Sequence, residues 1–390
     1  MKSKFTYFAF LTLILIGACS RCQPKGNPVE NGNIPNKSST DSIPSTGVGQ
    51  KWGFIDSSGR LVIEQKFDEA DNFSEKLAAV KLNGKWGFIN PKGELKIDTI
   101  YQAVWPFHNG LARALDDRGK IGFIDRLGRW AIRPDFENVT DFDEGKSIVE
   151  TEKGYIYINS NGKKVINETF EQASAFEKGT AKVKLQGKYG ILKSNEQWLI
   201  SNKYQRINKQ KNGFFLCFVG DKTVVVKSNG DHFNLPRGYN VLYFRPNAIL
   251  VERNNALRIL GDKNKVIVDS LYEEISAFAD TLWQVRNGNM FGLISNSGKI
   301  VLPLQYQQIY QISENKIAFQ KGDLWGFMDS SLRIMVQPTY KLAWSFKHGF
   351  ARIVGYSGFG YINQFGKLSI ADQFKDARDF SEGLARVQYK

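Results

Sequence analysis

Cysteine and histidine are scarce in this chain of 390 residues, with three of each. Cys19, Cys22 and Cys217 make no disulfide framework, and His108, His232 and His348 are scattered without ligand spacing. No metal and no cofactor is therefore expected. Long helical stretches of Ala, Leu, Glu and Lys are missing, which argues against a helical fold. Also missing are a Gly-x-Ser-x-Gly elbow, a Walker loop, a His-Glu-x-x-His helix and a partnered Cys-x-x-Cys. The 39 carboxylates stand largely in turns, where Asp and Asn serve backbone hydrogen bonding. The expectation is a protein that is not an enzyme. The alternative is a glycan-active envelope enzyme with a carboxylate pair hidden among those side chains.

Positive charge is plentiful. The formal net charge is +14. Lys and Arg are spread through the chain rather than gathered in one block, so they read as solubilising, with loose attraction for anionic surfaces. No nucleic-acid-binding pattern accompanies them, and no specific nucleic-acid partner is expected.

Met1-Lys2-Ser3-Lys4 is a short basic segment, followed by the apolar stretch 5–16. That stretch is shorter than the roughly 20 residues that span a bilayer, and it fits a secretory leader. Ile16-Gly17-Ala18-Cys19 follows and resembles the bacterial lipoprotein lipobox. The resemblance implies cleavage after residue 18, lipid on Cys19 and a membrane partner reached through that lipid. Ser20 after the cysteine implies the outer membrane by the same resemblance. Residues 19–50 are rich in Pro, Asn, Ser, Gly and Thr and read as a disordered tether.

Residues 51–390 repeat. Lys51-Trp52-Gly53-Phe54-Ile55-Asp56 returns as Lys85-Trp86-Gly87-Phe88-Ile89-Asn90 and as Leu324-Trp325-Gly326-Phe327-Met328-Asp329. Taking Trp52 as reference, the equivalent residues are Trp86, Ile121, Tyr155, Tyr189, Thr223, Leu257, Phe291, Trp325 and Phe359. Their spacing is 34, with one interval of 35, and gives ten units starting near 51, 85, 120, 154, 188, 222, 256, 290, 324 and 358. Two positions after the reference, all ten residues are apolar or aromatic, from Phe54 to Tyr361. Twenty-eight positions after it, all ten are apolar, and Cys217 reads there as a small buried hydrophobe.

Each unit reads as three strands. A Trp-Gly-Phe-Ile strand meets a turn with Gly59, Gly93, Gly128, Gly162, Gly230, Gly298 or Gly366, where positive φ is expected. A second strand follows, as in Leu61-Val62-Ile63. The segment Phe67-x-x-Ala70-x-x-Phe73 is expected to be a bend or 3₁₀ turn whose rings plug the core. A third strand then enters an Asn83-Gly84 hairpin. The strand glycine after each Trp marks a close approach of another backbone or a flanking ring, and the Trp rings are expected to cover it.

These motifs resemble the bacterial WG-containing (KWG) repeat, over the whole of 51–390 and most faintly over 188–288. The resemblance implies a β-rich, exported protein and carries over no catalytic residue. The fold expected is all-β, an array of ten repeats of about 34 residues, open and curved like a solenoid. A closed propeller-like ring is the alternative, because the first and last strands each lack a hairpin partner.

One column suggests a binding face. Nineteen positions after the reference, the residue is mostly polar, as at Asp71, Thr140, Ser174, Ser276 and Arg378, yet it is aromatic at Trp105, Tyr310 and Trp344. Aromatics at an otherwise wet position are the candidate ligand-binding residues, suited to sugar stacking or to anchoring a protein. Packing on a neighbouring loop is the other reading. Together these features point to a binding or scaffold module of the cell envelope with a protein or polysaccharide partner.

Overall fold

The computed structural model describes residues 51–235 and 238–390. The leader, Cys19 and the whole of the tether, residues 19–50, lie outside these residues. Among the described residues the fold is all-β apart from one short 3₁₀ turn at Asp262–Asn264.

The repeating element is a four-stranded antiparallel sheet that straddles the sequence repeat. Glu69–Ala70, Ala78–Leu82, Lys85–Ile89 and Leu95–Tyr101 form one such sheet in chain order. Its first two strands come from one unit and its last two from the next. The segment expected to be a bend or 3₁₀ turn instead supplies a two-residue first strand, then a tight turn closed by the Ser74–Leu77 bridge. Its aromatics do plug the core, since Phe67 and Phe73 are buried.

The array is not open. Trp52–Asp56 pairs antiparallel with Leu384–Tyr389, with Gly53 opposite Val387 and Asp56 opposite Leu384. This corrects the open solenoid in favour of the closed ring of units that was the alternative, with one seven-stranded sheet spanning the seam. The physical cause is the pair of edges that an open array leaves, each with unpaired N–H and C=O groups; joining them satisfies both. The join repeats the contacts found between interior units. Ser74 donates its hydroxyl to the Phe107 carbonyl at 2.8 Å, and Ser313 to the Phe346 carbonyl at 2.6 Å. Across the seam, Ser381 donates to the Phe73 carbonyl at 2.6 Å. The carboxylates of Glu75 and Glu314 accept the amides of Gly110 and Gly349, and Glu382 accepts that of Lys76.

The apolar columns form the core. Phe54, Phe88, Phe123, Tyr157, Phe327 and Tyr361 are all buried, as are Val80, Cys217 and Val387. The turn glycines adopt the expected positive φ, such as 83° at Gly59 and 79° at Gly93. At six of the seven turns the side chain of the residue three before the glycine fixes the turn. Asp56 Oδ1 accepts the amides of Ser58 and Arg60, and Asn90 Oδ1 those of Lys92 and Glu94.

The strand glycines have a backbone reason. Trp52 pairs with Phe67 and Phe54 with Ile63, so the partner strand bulges opposite Gly53. A Cβ at Gly53 would lie 2.6 Å from the Ile63 carbonyl oxygen. A backbone, and not the Trp ring, therefore takes the space the glycine leaves.

Candidate functional site

The first strands of the sheets bring the candidate residues to one edge of each unit. In seven units the amide at the nineteenth position bonds the carbonyl at the twenty-seventh. Trp105 bonds Arg113 at 3.1 Å, Ser174 bonds Lys182 at 2.9 Å and Trp344 bonds Arg352 at 3.0 Å. These two columns stand side by side on neighbouring strands.

Units three to eight line an open cavity of about 1080 Å³ along this edge. Each unit contributes: Asp143, Ser174, Asn208, Leu242, Ala277 and Gln311 come from six successive ones. Four basic residues (Lys182, Lys209, Lys211 and Arg245) line it against three acidic ones, Asp143, Glu177 and Asp280. The units of fainter sequence repeat build much of this wall. Their first strands are longer, four residues in Arg206–Lys209 and six in both Asn240–Arg245 and Glu274–Ala279, against two in Glu69–Ala70.

The basic residues of the twenty-seventh column differ in their partners. Arg113 pairs with Asp141 at 2.6 Å, Arg352 with Asp379 at 3.6 Å and Arg386 with Asp71 at 3.2 Å. Each acid belongs to the following unit, and in the last case the seam lies between them. Burial pushes the Asp71 carboxyl up, with Arg386 opposing that shift. Lys182 has no acid in the corresponding place; the twentieth position of its following unit is Lys209. Lys209 is itself held by Glu177, at 3.2 Å to the carboxylate and 2.7 Å to the carbonyl. Lys182 Nζ lies 5.5 Å from the Tyr189 ring centroid, and burial pushes its pKa down. Arg245 is buried and donates to Asn296 Oδ1 at 2.9 Å and the Leu282 carbonyl at 3.0 Å, with the Trp283 ring 4.1 Å away.

The three aromatics read from the sequence are half-buried and engaged within the ring of units. Arg113 lies 4.5 Å over Trp105. Tyr310 meets Trp325 at 4.7 Å between centroids. Trp344 has Arg352 at 4.0 Å and stacks on Phe359 at 5.9 Å. They contact strands of their own unit, at Arg113 and Arg352, and of the following one, at Trp325 and Phe359, rather than a distant loop. The lysine pair at 182 and 209 was not singled out from the sequence. Its signal is a charge reversal: Lys209 stands where two other units carry Asp.

Among the described residues, no group of three or more His, Cys, Asp or Glu is placed to hold a metal ion. No helix there is long and apolar enough to cross a membrane.

The model of the family described as "WG containing repeat" matches residues 52–86, 86–118, 121–155, 157–189, 291–325, 325–354 and 359–390. Among curated proteins none matches the chain. Similar solved structures include the computationally designed Ika8 protein, at 13% identity and TM-score 0.35 over 75% of this chain and 96% of that one. BamB from Moraxella catarrhalis is 12% identical, with TM-score 0.32 over 73% of this chain and 98% of its own.

Proposed function

The chain belongs to the WG-containing repeat family, and from that premise we propose that it is a non-catalytic binding or scaffold protein of the bacterial cell envelope. Lipid on Cys19 anchors it to the outer membrane, residues 19–50 tether it, and the ring of repeats recognises a protein or polysaccharide. The observation that carries this reading is the cavity of about 1080 Å³, into which six successive units each bring side chains. Concave sites with a few convergent polar groups on an apolar wall are where ligands bind. Apolar Phe176, Leu242 and Phe278 stand there beside Ser174, Asn208 and Gln311. The half-buried rings of Trp105, Tyr310 and Trp344 extend the same column around the ring.

The test is capture. The full chain is immobilised and exposed to envelope extract and to a polysaccharide panel, beside a Tyr310→Ala/Trp344→Ala variant and an Asn208→Ala/Leu242→Ala variant. Specific capture that is lost in either variant, with the fold retained, supports a recognition module. Capture that neither variant weakens moves recognition away from this edge. Failure to capture anything contradicts the proposal. Incorporation of labelled palmitate that disappears in Cys19→Ala tests the anchor.

A further inference from the structure

We propose that the cavity holds a carboxylate-bearing carbohydrate, whose carboxylate pairs with Lys182 where other units of the ring supply their own aspartate. This deepens the binding reading above and rests on it.

The repeat itself provides the comparison. In three units a basic residue of the twenty-seventh column reaches an aspartate of the following unit: Arg113 to Asp141, Arg352 to Asp379 and Arg386 to Asp71. Partly buried cations gain from such a partner, because desolvation is otherwise uncompensated. Between units four and five the arrangement is reversed. Lys182 keeps the cation, but the next unit presents Lys209. Among the described residues, Lys182 Nζ makes no hydrogen bond and no ion pair, although the side chain is half-buried. Lys211 is exposed at the same cavity, and Arg245 donates to Asn296 Oδ1 and the Leu282 carbonyl, with Asp280 nearby. Lys182 is thus a half-buried cation at the cavity to which no carboxylate of the described residues is paired.

The rest of the wall favours a sugar over an acidic peptide. Side-chain amides and hydroxyls converge there, at Ser174, Asn208 and Gln311. Such groups both donate and accept, as vicinal hydroxyls require. Half-buried Tyr243 and exposed Leu242 supply apolar surface for one face of a pyranose, over the buried rings of Phe176 and Phe278. A volume of about 1080 Å³ accommodates more than one sugar residue.

Titration calorimetry of the full chain tests this with an oligogalacturonate. A neutral cello-oligosaccharide and an oligoglutamate of equal length are the comparison arms. The expected result is binding of the oligogalacturonate alone, weakened by salt. Lys182→Gln is expected to lower its affinity about ten- to a hundredfold, the worth of a hydrogen bond to a charged group. Lys209→Asp gives unit five the aspartate that units three and ten have. It is expected to pair with Lys182 and abolish binding, with thermal unfolding checking that the fold survives the loss of the Lys209–Glu177 contact. Equal binding of the neutral sugar, preference for oligoglutamate, or wild-type affinity in both folded variants overturns the proposal. If oligogalacturonate does not bind while the cavity variant loses its envelope capture, the carboxylated sugar falls and the binding module stands. If neither ligand nor extract binds, both fall.

Discussion

The Ser381 hydroxyl donates to the Phe73 carbonyl at 2.6 Å across 308 residues of chain. Within the ring this is the ordinary contact between neighbours, made also by Ser74 to Phe107 and Ser313 to Phe346. The seam is therefore one more unit boundary. Ser74→Ala and Ser381→Ala are expected to lower stability by the same amount, about 1 kcal/mol. Urea unfolding of the two variants checks this. An effect at Ser74 alone would contradict a closed ring.

Gly53 opposes a backbone, and its substitution has no easy relief. Gly53→Ala is expected to cost about 1–3 kcal/mol, as overpacking of a core does. Gly84, with open space around its Cβ direction but φ of 81°, tests the other reason for glycine. Its replacement by Ala costs about 1 kcal/mol through backbone strain alone. Denaturant midpoints of the two variants separate these causes.

Acid should loosen the turns capped by aspartate. The Ser58 hydroxyl, against partial desolvation, and the amides of Arg60 and Ser58 hold the Asp56 carboxyl below its usual range. A depressed folded pKa means that the stabilisation is full above the unfolded value, about pH 4, and is lost as pH falls through the folded one. Asn90, Asn159 and Asn363 make the same turn without a titrating group. Asp56→Asn is expected to leave the melting temperature at pH 7 unchanged and to reduce its fall below pH 4. Thermal unfolding followed from pH 7 to pH 2 checks both statements.

Cys217 sits in the buried column, and burial pushes its thiol up to about 12. A thiol without thiolate character and without access is inert. Iodoacetamide at pH 8 is expected to leave the peptide containing Cys217 unmodified in the native protein and to modify it in urea. Peptide mapping by mass spectrometry reads the result.

The period of 34, the apolar columns and the turn glycines were legible in the sequence because each is a local pattern repeated along the chain. The two-residue strand Glu69–Ala70 was not, since so short a strand shows no alternation. Closure was visible only as two unpartnered strands, Trp52–Asp56 and Leu384–Tyr389. Their pairing is non-local, and nothing in either segment's own residues states it. Trp344 stood out as an aromatic at a polar position, but the guanidinium of Arg352 that lies against it comes from a neighbouring strand. Lys182 and Lys209 are 27 residues apart in sequence, and they read as ordinary solvating charge until the unit-to-unit pairing of Arg113 with Asp141 gives their positions meaning.

The ring is the central claim, because closure joins ten units into one body with a common inner edge. Native-state amide exchange tests it most directly. In a closed ring every amide from Gly53 to Asp56 lies in a strand paired on both sides, with Leu61–Phe67 and with Leu384–Tyr389. The amides of residues 53–56 and 384–387 are then expected to exchange as slowly as those at the equivalent positions 87–90 and 77–80. Fast exchange of alternate amides in 53–56 and 384–387, as at an exposed sheet edge, would contradict closure.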